Sequence, residues 1–278
     1  MTKIFTYPVV NFNFKKPVFV LGGFESFHLG HLELLKTATK ITDEVIVMLI
    51  KDPSKLPKNK GKIFSDLDAR IQMMANSGVK NIILFEFDNK LQQLTGQEFT
   101  DIFIEYKVNF FVVGKNFVFG KNASWGAKQL SEFFPKTKII EHLNFENSKI
   151  STKNLKLFLE FGDFENLNKL LPTNFLVSVE FNQSGKFTWK KELICPAAGF
   201  YLAYFVIIKE NIKLPVILQI EFTSGQGKIH FFQKNENFSG FLEIIQQIRY
   251  IYSNQSNILR KSDIKIAKSL FAKLYQKD

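Results

Sequence analysis

Two of the chain's four histidines lie three residues apart, directly after a glycine-rich turn, in the stretch "VLGGFESFHLGH" from Val20 to His31. An apolar run precedes the turn and a helical pattern follows it. In the first turn of a helix, free N–H groups and the helix dipole favour an anion, and Gly30 lets a ligand approach the backbone. His28 and His31 fall on one side of that turn, where two imidazoles can hold a polyphosphate or can merely cap and pack the helix. The H-x-G-H spacing behind a glycine-rich turn favours the phosphate site.

The elements that must position this stretch alternate along the first half of the chain. Apolar runs such as "PVFVLGGF", "DEVIVMLI", "KNIILFEF" and "NFFVVGKNF" are separated by helical patterns such as "LGHLELLKTATKI" and "TGQEFTDIFIEYK". Continuous apolar strands joined by helices are typical of a parallel sheet covered on both faces, with ligands bound beyond the carboxyl ends of its strands. We expect an α/β, Rossmann-like domain with the histidines at a strand end.

The pattern changes at Pro172. Apolar runs that include "NFLVSVEF", "GKFTWKKELI" and "GFYLAYFVII" follow one another through short links, which predicts a small antiparallel sheet or β-barrel. A terminal helix is expected over "SDIKIAKSLFAKLY", with Ser262 as its cap and one apolar face. That face would carry Ile266, Leu270, Phe271 and Leu274. About two domains are usual at this length, and we place them at residues 1–168 and 169–278.

The net charge of +11 comes from lysine rather than arginine. Of the 37 basic residues only Arg70, Arg249 and Arg260 are arginine, and the lysines are spread over the whole chain. Because arginine is favoured for bidentate phosphate and base contacts, we expect no nucleic-acid partner. No export signal opens the sequence and no run of about 18 apolar residues occurs, so we expect no membrane partner and a cytoplasmic location. The lone Cys195 is consistent with a reducing compartment.

Three motifs resemble those of one family. "GGFESFHLGH" is similar to the "GNFDGVHLGH" signature of prokaryotic bifunctional riboflavin kinase/FAD synthetases, within the wider H-x-G-H nucleotidyltransferase superfamily. "VVGKNFVFG", residues 112–120, resembles the family's "VVGxNFxFG", and "ISTKNLKLFLEFGD", residues 150–163, resembles "ISSTRIRxxLxxGD". The resemblance is co-linear over the first 170 residues and fainter over the remainder.

The resemblance implies transfer of AMP from ATP to FMN, giving FAD and pyrophosphate. The FMN phosphate is itself the nucleophile, so positioning and charge stabilisation would carry the catalysis. By motif, His28 and His31 would be the catalytic residues that hold the ATP phosphates and the transition state. The resemblance implies ATP binding by Gly22, Phe24, Gly30, Ser151, Thr152 and Lys156, and flavin or substrate binding by Asn116 and Phe119. Magnesium (Mg2+) would bridge phosphates rather than sit in a protein cage.

Several positions depart from the family's motifs. Near the histidines Gly23 replaces an asparagine, Glu25 an aspartate and Ser26 a glycine. In the third motif Asn154 replaces the first arginine and Lys156 the second, so Lys156 keeps the charge and loses the bidentate fork. The other departures in that motif are Thr152 for serine and Lys153 for threonine, and Lys153 is a second candidate to supply the charge.

Two further positions admit either a substrate role or a purely structural one. Asp52 and Pro53 occupy the place of the family's "DPHP" and either contact substrate or only form a turn. Trp125 either lies near the flavin or is a half-exposed packing residue.

The second half departs from the family's riboflavin kinase at two places. That kinase is a six-stranded barrel with a "GxPTAN" motif and a glutamate base in "VEVHLLDFDGDLYG". Here "PTN", residues 172–174, precedes the first barrel strand, and Lys228 stands where the glutamate belongs. Since a lysine is ordinarily protonated at neutral pH, it cannot readily accept a proton from riboflavin. We expect a kinase-like barrel without kinase activity; a fully bifunctional enzyme and a non-catalytic flavin- or nucleotide-binding protein are the alternatives.

Overall fold

The computed structural model describes residues 1–56, 61–145, 148–222 and 225–276. The chain divides into two compact units, the first made of residues 1–61 with 71–151 and the second of 62–70 with 152–278. By packing, residues 152–168 therefore belong with the second unit. The predicted division after residue 168 concerns functional domains and stays a prediction.

The first unit is built on a six-stranded sheet. The strands of this unit in chain order are β1 (Lys3–Thr6), β2 (Val18–Leu21), β3 (Val45–Ile50), β4 (Asn81–Phe85), β5 (Phe110–Gly114), β6 (Val118–Phe119), β7 (Trp125–Gly126), β8 (Thr137–Ile140), β9 (Asn144–Phe145) and β10 (Ser148–Lys149). The pairs β6-β7 and β9-β10 form two small antiparallel sheets of their own. The main sheet has the order β1-β4-β3-β2-β5-β8, with every neighbouring pair parallel. This confirms the predicted Rossmann-like sheet.

Helices of this part of the chain are α1 (Leu29–Thr39), α2 (Leu67–Asn76), α3 (Asn89–Gln93), α4 (Gly96–Glu105) and α5 (Ala127–Phe133). The inner strands β2, β3 and β4 are buried along their whole length, which explains their continuous apolar sequences. Phenylalanine rings fill the core, and Phe103 meets the rings of Phe19 and Phe111 edge-on at 4.9 and 5.6 Å. Such T-shaped pairs suit the quadrupoles of aromatic rings and hold α4 against the sheet.

The second unit combines an antiparallel sheet with helices. Its helices are α6 (Thr152–Phe161), α7 (Phe164–Lys169) and α8 (Lys261–Tyr275), and its strands are β11 (Phe175–Glu180), β12 (Lys186–Thr188), β13 (Gly199–Ile207), β14 (Ile212–Ile220), β15 (Gln226–Phe231) and β16 (Ser239–Tyr250). The strands form one sheet in the order β11-β16-β13-β14-β15-β12, with each pair antiparallel. The predicted antiparallel domain with a terminal helix is confirmed.

The predicted strand over residues 185–194 is shorter than its sequence pattern. Only Lys186–Thr188 pairs in the sheet. Beyond it the chain pairs with a distant segment of the same unit, because Ile63 N donates to Glu192 O at 2.8 Å and Ile194 N donates to Ile63 O at 3.1 Å. The end of this run is therefore paired with Ile63 and not with the sheet.

The terminal helix begins earlier than predicted. Arg260 precedes it, and the Arg260 N–H donates to the Asp263 carboxylate at 2.8 Å, so Ser262 is not the cap. The buried face carries Asp263, Ala267 and Phe271, whereas Ile266 is 45% exposed. The carboxylate of Asp263 also accepts two hydrogen bonds from Arg249, which ties the start of the helix to β16. Within the described residues, no helix is both long and apolar enough to cross a membrane.

Candidate active site

The glycine-rich turn leaves the carboxyl end of β2, between β3 and β5. The chain runs from β2 through α1 to β3 on one side, while β5 lies on the other, and ligands of doubly wound sheets bind at such a switch point. Phe24 adopts a left-handed backbone with φ 41° and its side chain is buried. A Cβ added to Gly22 would lie 3.0 Å from the Phe24 ring. Gly22 therefore gives the Phe24 ring its room within the turn.

His28 is the N-cap of α1 and His31 lies in the first helical turn. The His28 Nδ1 atom accepts a hydrogen bond from the His31 N–H at 3.3 Å, and the two imidazoles stack with centroids 3.8 Å apart at 13°. An accepting Nδ1 places the proton of a neutral imidazole on Nε2, which makes that atom a hydrogen-bond donor. A Cβ on Gly30 would lie 3.0 Å from the His28 ring, so Gly30 gives that ring its room.

The surroundings of the histidine pair favour a bound anion. The first turn of α1 contains no acidic residue, so the positive end of the helix dipole is not compensated from within the helix. The His31 ring lies 4.7 Å from the ring of Phe24, which covers it on the side of the turn. Both histidines remain partly exposed. Together these features place imidazole donors at a helix N-terminus that a phosphate can approach.

The second motif follows the neighbouring strand. β2 and β5 are parallel partners, with Leu21 beside Val113, so the loops after both strands leave the same edge of the sheet. Asn116 is exposed in the loop after β5. Phe119 is buried, with its ring stacked on Phe117 at 5.1 Å and tilted against Phe99 at 5.0 Å. The structure thus brings Asn116 to the edge that carries the histidines and places Phe119 in the core.

The third motif begins where the two units meet in the sequence. Ser151 is the last residue of the first unit and is half-buried, and Thr152 is the first residue of α6 in the second. Within the second unit, the Lys156 ammonium donates to the Lys62 carbonyl at 2.9 Å, while Lys153 is exposed. The predicted ATP-binding roles of Ser151, Thr152 and Lys156 rest on the motif and stay predictions.

Asp52 caps a single helical turn after β3. One carboxylate oxygen accepts from the Ser54 N–H at 3.0 Å and from the Ser54 hydroxyl at 2.6 Å. These hydrogen bonds give Asp52 a structural role at the carboxyl edge of the sheet. Its contact with substrate stays a prediction. The described part of the chain contains no group of three or more His, Cys, Asp or Glu side chains placed to hold a metal ion.

The candidate kinase residues lie in the second unit. Lys228 stands on β15 opposite Lys186 of β12 and Gln219 of β14. The neighbouring His230 shares a 2.7 Å hydrogen bond between its Nε2 and the Gln219 Oε1. Burial, with a smaller contribution from Lys228, lowers the pKa of His230 to about 4, so this imidazole is neutral at neutral pH.

The residues "PTN" precede β11, as the sequence indicates. Asn174 donates from its side-chain amide to the Glu243 carboxylate at 2.7 Å, and the same carboxylate pairs with Lys213 at 2.9 Å. Sequence analysis did not single out Glu243. Its position inside β16 gives no local signal, because its partners come from 30 and 69 residues away.

Comparison with known proteins shows the family of the chain. A family model described as FAD synthetase matches residues 12–154, just over half of the chain. The FAD synthetase of Listeria monocytogenes is 26% identical over 231 residues, which cover 79% of this chain and 92% of that protein. The bifunctional riboflavin kinase/FMN adenylyltransferase of Bacillus subtilis is 25% identical over 174 residues, 58% of this chain and 55% of that protein. The match therefore spans about half the length of the bifunctional relative.

A solved structure shares the fold of the whole chain. The crystal structure described as a macrolide-efflux protein from Streptococcus pneumoniae superposes with a TM-score of 0.75 and covers 99% of this chain and 98% of its own. At 20% sequence identity, this likeness shows the fold alone.

Proposed function

The chain belongs to the FAD synthetase family, and from that premise we propose that it transfers AMP from ATP to FMN, giving FAD and pyrophosphate. It is a nucleotidyltransferase with two small-molecule substrates. The observation that carries the proposal is the stacked imidazole pair at the N-terminus of α1, at the switch point of a parallel sheet. Of the three motif regions, this one gives the proposal its support, because its imidazoles lie at a helix N-terminus.

The reaction requires charge stabilisation rather than a covalent residue. An oxygen of the FMN phosphate attacks the α-phosphorus of ATP, the bond to the bridging oxygen of the β-phosphate breaks, and pyrophosphate leaves. Negative charge builds on the phosphoryl oxygens as the bonds change. His28 donates from Nε2, and the N-terminus of α1, whose first turn holds no acidic residue, adds its dipole, so both stabilise that charge. Because the attacking phosphate is already anionic, no general base is needed.

The remaining predicted site residues have narrower tasks in this proposal. Asn116, exposed at the end of β5, orients a phosphate or the flavin of FMN. Phe24 and Gly22 shape the turn that positions His31. ATP is used as its magnesium complex, since Mg2+ keeps several water ligands and binds mainly through substrate phosphates. The reaction takes place in the cytoplasm, where the single Cys195 stays a thiol.

We also propose that the second unit has no riboflavin kinase activity. Lys228 occupies the motif position of the base, between Lys186 and Gln219 in the sheet. An ammonium group has no lone pair with which to take the proton from the riboflavin hydroxyl. Two departures support this proposal: the lysine at that position, and the residues "PTN", which precede β11.

The test of adenylyl transfer is a pair of substitutions at His28. His28→Ala removes both the imidazole and the helix cap, whereas His28→Asn removes the imidazole and keeps a good capping residue. Loss of one preorganised donor costs about 100- to 1000-fold in kcat, so both variants should lose FAD formation to that extent. His28→Asn should melt within a few degrees of the wild type. Full activity in folded His28→Asn would contradict the proposed role.

A further inference from the structure

A row of lysines runs along an outer face of α8 in the second unit. Lys261, Lys265 and Lys268 are exposed, and we refer to these three residues as the lysine stripe. Their spacing places them within about 60° of one another around the helix and within about 10 Å along it. Another face of the helix carries Ala267 and Phe271, which are buried in a cluster with residues of the sheet.

The lysine stripe has no acidic partner in its own helix. Asp263 is the one acidic residue of α8, and it is buried and accepts two hydrogen bonds from Arg249. On α1 and α5, by contrast, Lys36 and Lys128 form ion pairs with glutamates three and four residues away. Within the described residues, no ion pair involves a lysine of the stripe.

The strands that pack against α8 do not balance the charge either. The helix packs on β13, β14 and β16, and the sequences of these strands contain a single acidic residue, Glu243. The Glu243 carboxylate already pairs with Lys213 at 2.9 Å and accepts from Asn174 at 2.7 Å. The lysine stripe therefore presents its full positive charge to the solvent.

Large apolar side chains are exposed at both ends of the stripe. Before the helix, Tyr252 is 76% exposed and Ile258 is 66% exposed. Near the other end of the helix, Tyr275 is 61% exposed. Tyr275 follows Lys268 by seven residues, so both lie on the same side of the helix. Single exposed apolar residues are ordinary, but several of them around one charged stripe mark a surface that meets a partner.

The loop that carries Tyr252 and Ile258 is fixed against the start of α8. The Arg249 guanidinium donates to the Ser256 carbonyl at 2.9 Å and to the Ile258 carbonyl at 2.8 Å, and it also binds the Asp263 carboxylate. The Tyr252 N–H donates to the Ser256 hydroxyl at 3.0 Å. The loop and the helix therefore form one preorganised surface, which lowers the entropic cost of binding.

We propose that the lysine stripe and the apolar residues at its ends bind the surface of an anionic phospholipid bilayer. Lysine is a point charge on a flexible stem, which suits mobile headgroup phosphates that offer no fixed bidentate geometry. Tyr252, Ile258 and Tyr275 enter the interfacial region, where tyrosine rings and apolar side chains are favoured. The proposal does not depend on the proposed function.

The bilayer fits this surface better than a nucleic acid does. A nucleic acid attracts the same lysines through its phosphates, but its backbone gives an exposed isoleucine no apolar surroundings. The sequence-based prediction of no membrane partner rested on the lack of a spanning run, which contact with a lipid surface does not require.

Binding is measured by sedimentation of the full chain with vesicles at about 0.1 M salt, where the Debye length is about 10 Å. One set of vesicles is phosphatidylcholine alone, and the other is an equal mixture with phosphatidylglycerol. Each lysine near an anionic surface contributes about 1 kcal/mol, or about 5-fold in affinity. The triple variant Lys261→Gln, Lys265→Gln, Lys268→Gln should therefore bind the mixed vesicles about 100-fold more weakly than the wild type. The wild type should prefer the mixed vesicles by a similar factor.

The matched control removes the same net charge elsewhere. Lys40, Lys80 and Lys138 are exposed lysines of the first unit, and their replacement by glutamine should weaken binding by less than about 5-fold. Ile258→Ser tests the apolar contact and should weaken binding by about 5- to 30-fold. All of these side chains are exposed, so each variant should melt within a few degrees of the wild type.

The other outcomes overturn the proposal. If the wild type does not sediment with the mixed vesicles, the surface does not bind a bilayer. An equal loss in the control triple variant would show that net charge, and not the lysine stripe, governs binding. Unchanged binding of Ile258→Ser would show a purely ionic contact. If a DNA duplex of random sequence, titrated at the same salt, binds as tightly as the mixed vesicles and loses as much affinity in the triple variant, the stripe is a general polyanion site instead.

Discussion

Replacing Gly120 with alanine strains the hairpin that follows β5. Gly120 has φ 76° and ψ 168°, a backbone region that is essentially restricted to glycine. A Cβ there would lie 2.8 Å from the Gly96 nitrogen and 3.1 Å from its Cα, backbone atoms that cannot rotate away. Gly114 is the matched control, because a Cβ at this position, in the same motif, would meet nothing within 4 Å.

The cost of Gly120→Ala can be worked out from these two features. The backbone conformation costs an L-residue about 1–3 kcal/mol, and a close contact that cannot relax by side-chain rotation costs about 1–3 kcal/mol more. Alanine also makes the unfolded chain less flexible than glycine does, which offsets about 0.4–1 kcal/mol of this loss. These contributions span a net loss of about 1–5.5 kcal/mol, and we expect about 3 kcal/mol for Gly120→Ala. Gly114→Ala should change the stability by less than about 1 kcal/mol.

Urea unfolding followed by tryptophan emission measures the difference. In a Trp189→Phe background the signal comes from Trp125, which lies against Gly96 in the first unit. With an m value of about 1–3 kcal/mol/M, a loss of about 3 kcal/mol should lower the midpoint of Gly120→Ala by roughly 1–3 M relative to Gly114→Ala. Equal midpoints for the two variants would refute the argument from backbone geometry.

Two further predictions concern the second unit. His230 has a folded-state pKa of about 4 against an ordinary 6.5. Between these pH values the unfolded chain binds more protons than the folded one, so the free energy of unfolding should fall as the pH drops from about 6.5 to 4. Because the imidazole is partly exposed, we expect a decrease of about 1–2 kcal/mol. His230→Gln should flatten this dependence in urea titrations at pH 4, 5 and 7, and an unchanged slope would contradict it. The buried carboxylate of Asp263 accepts hydrogen bonds from Arg249 at 2.8 and 3.0 Å. Asp263→Asn should therefore lower the free energy of unfolding by about 3 kcal/mol. The control Glu236→Gln, in the exposed ion pair with Lys234, should lower it by less than about 0.5 kcal/mol. Burial alone would raise the pKa of Asp263, but the hydrogen bonds from Arg249 and from the Arg260 N–H hold this pKa below its usual range. The carboxylate therefore contributes fully to stability above about pH 4, and this contribution is lost as the pH falls through the folded-state pKa.

The inner strands and first helix could be predicted because their environment leaves a local signal. β2, β3 and β4 are buried on both faces, which requires continuous apolar runs. β1 was missed, since this edge strand has four residues and three of them are exposed. β16 was missed although it is twelve residues long and lies between β11 and β13. Its pairing with β13 shifts register twice, which breaks the alternation of apolar and polar residues that marks a strand.

In the candidate site, too, the features that could be predicted are those formed by neighbours in the sequence. The histidine turn could be predicted because its glycines, cap and first helical turn lie within ten residues. The contact between Gly96 and Trp125 could not, because it joins residues far apart in the sequence and depends on the missing side chain of a glycine. The packing of residues 62–70 against the rest of the second unit could not be predicted either. There the Asp66 carboxylate accepts from the Ser178 N–H at 3.0 Å, across 112 residues of sequence.

The central claim is tested most directly by the flavin products of the purified wild-type protein. The protein is incubated with ATP and Mg2+, with FMN in one tube and riboflavin in another, and the flavins are separated by chromatography. We predict FAD from FMN and no product from riboflavin. FMN or FAD from riboflavin would contradict the proposal that Lys228 has disabled the kinase, and the absence of FAD from the FMN tube would contradict the adenylyl transfer itself.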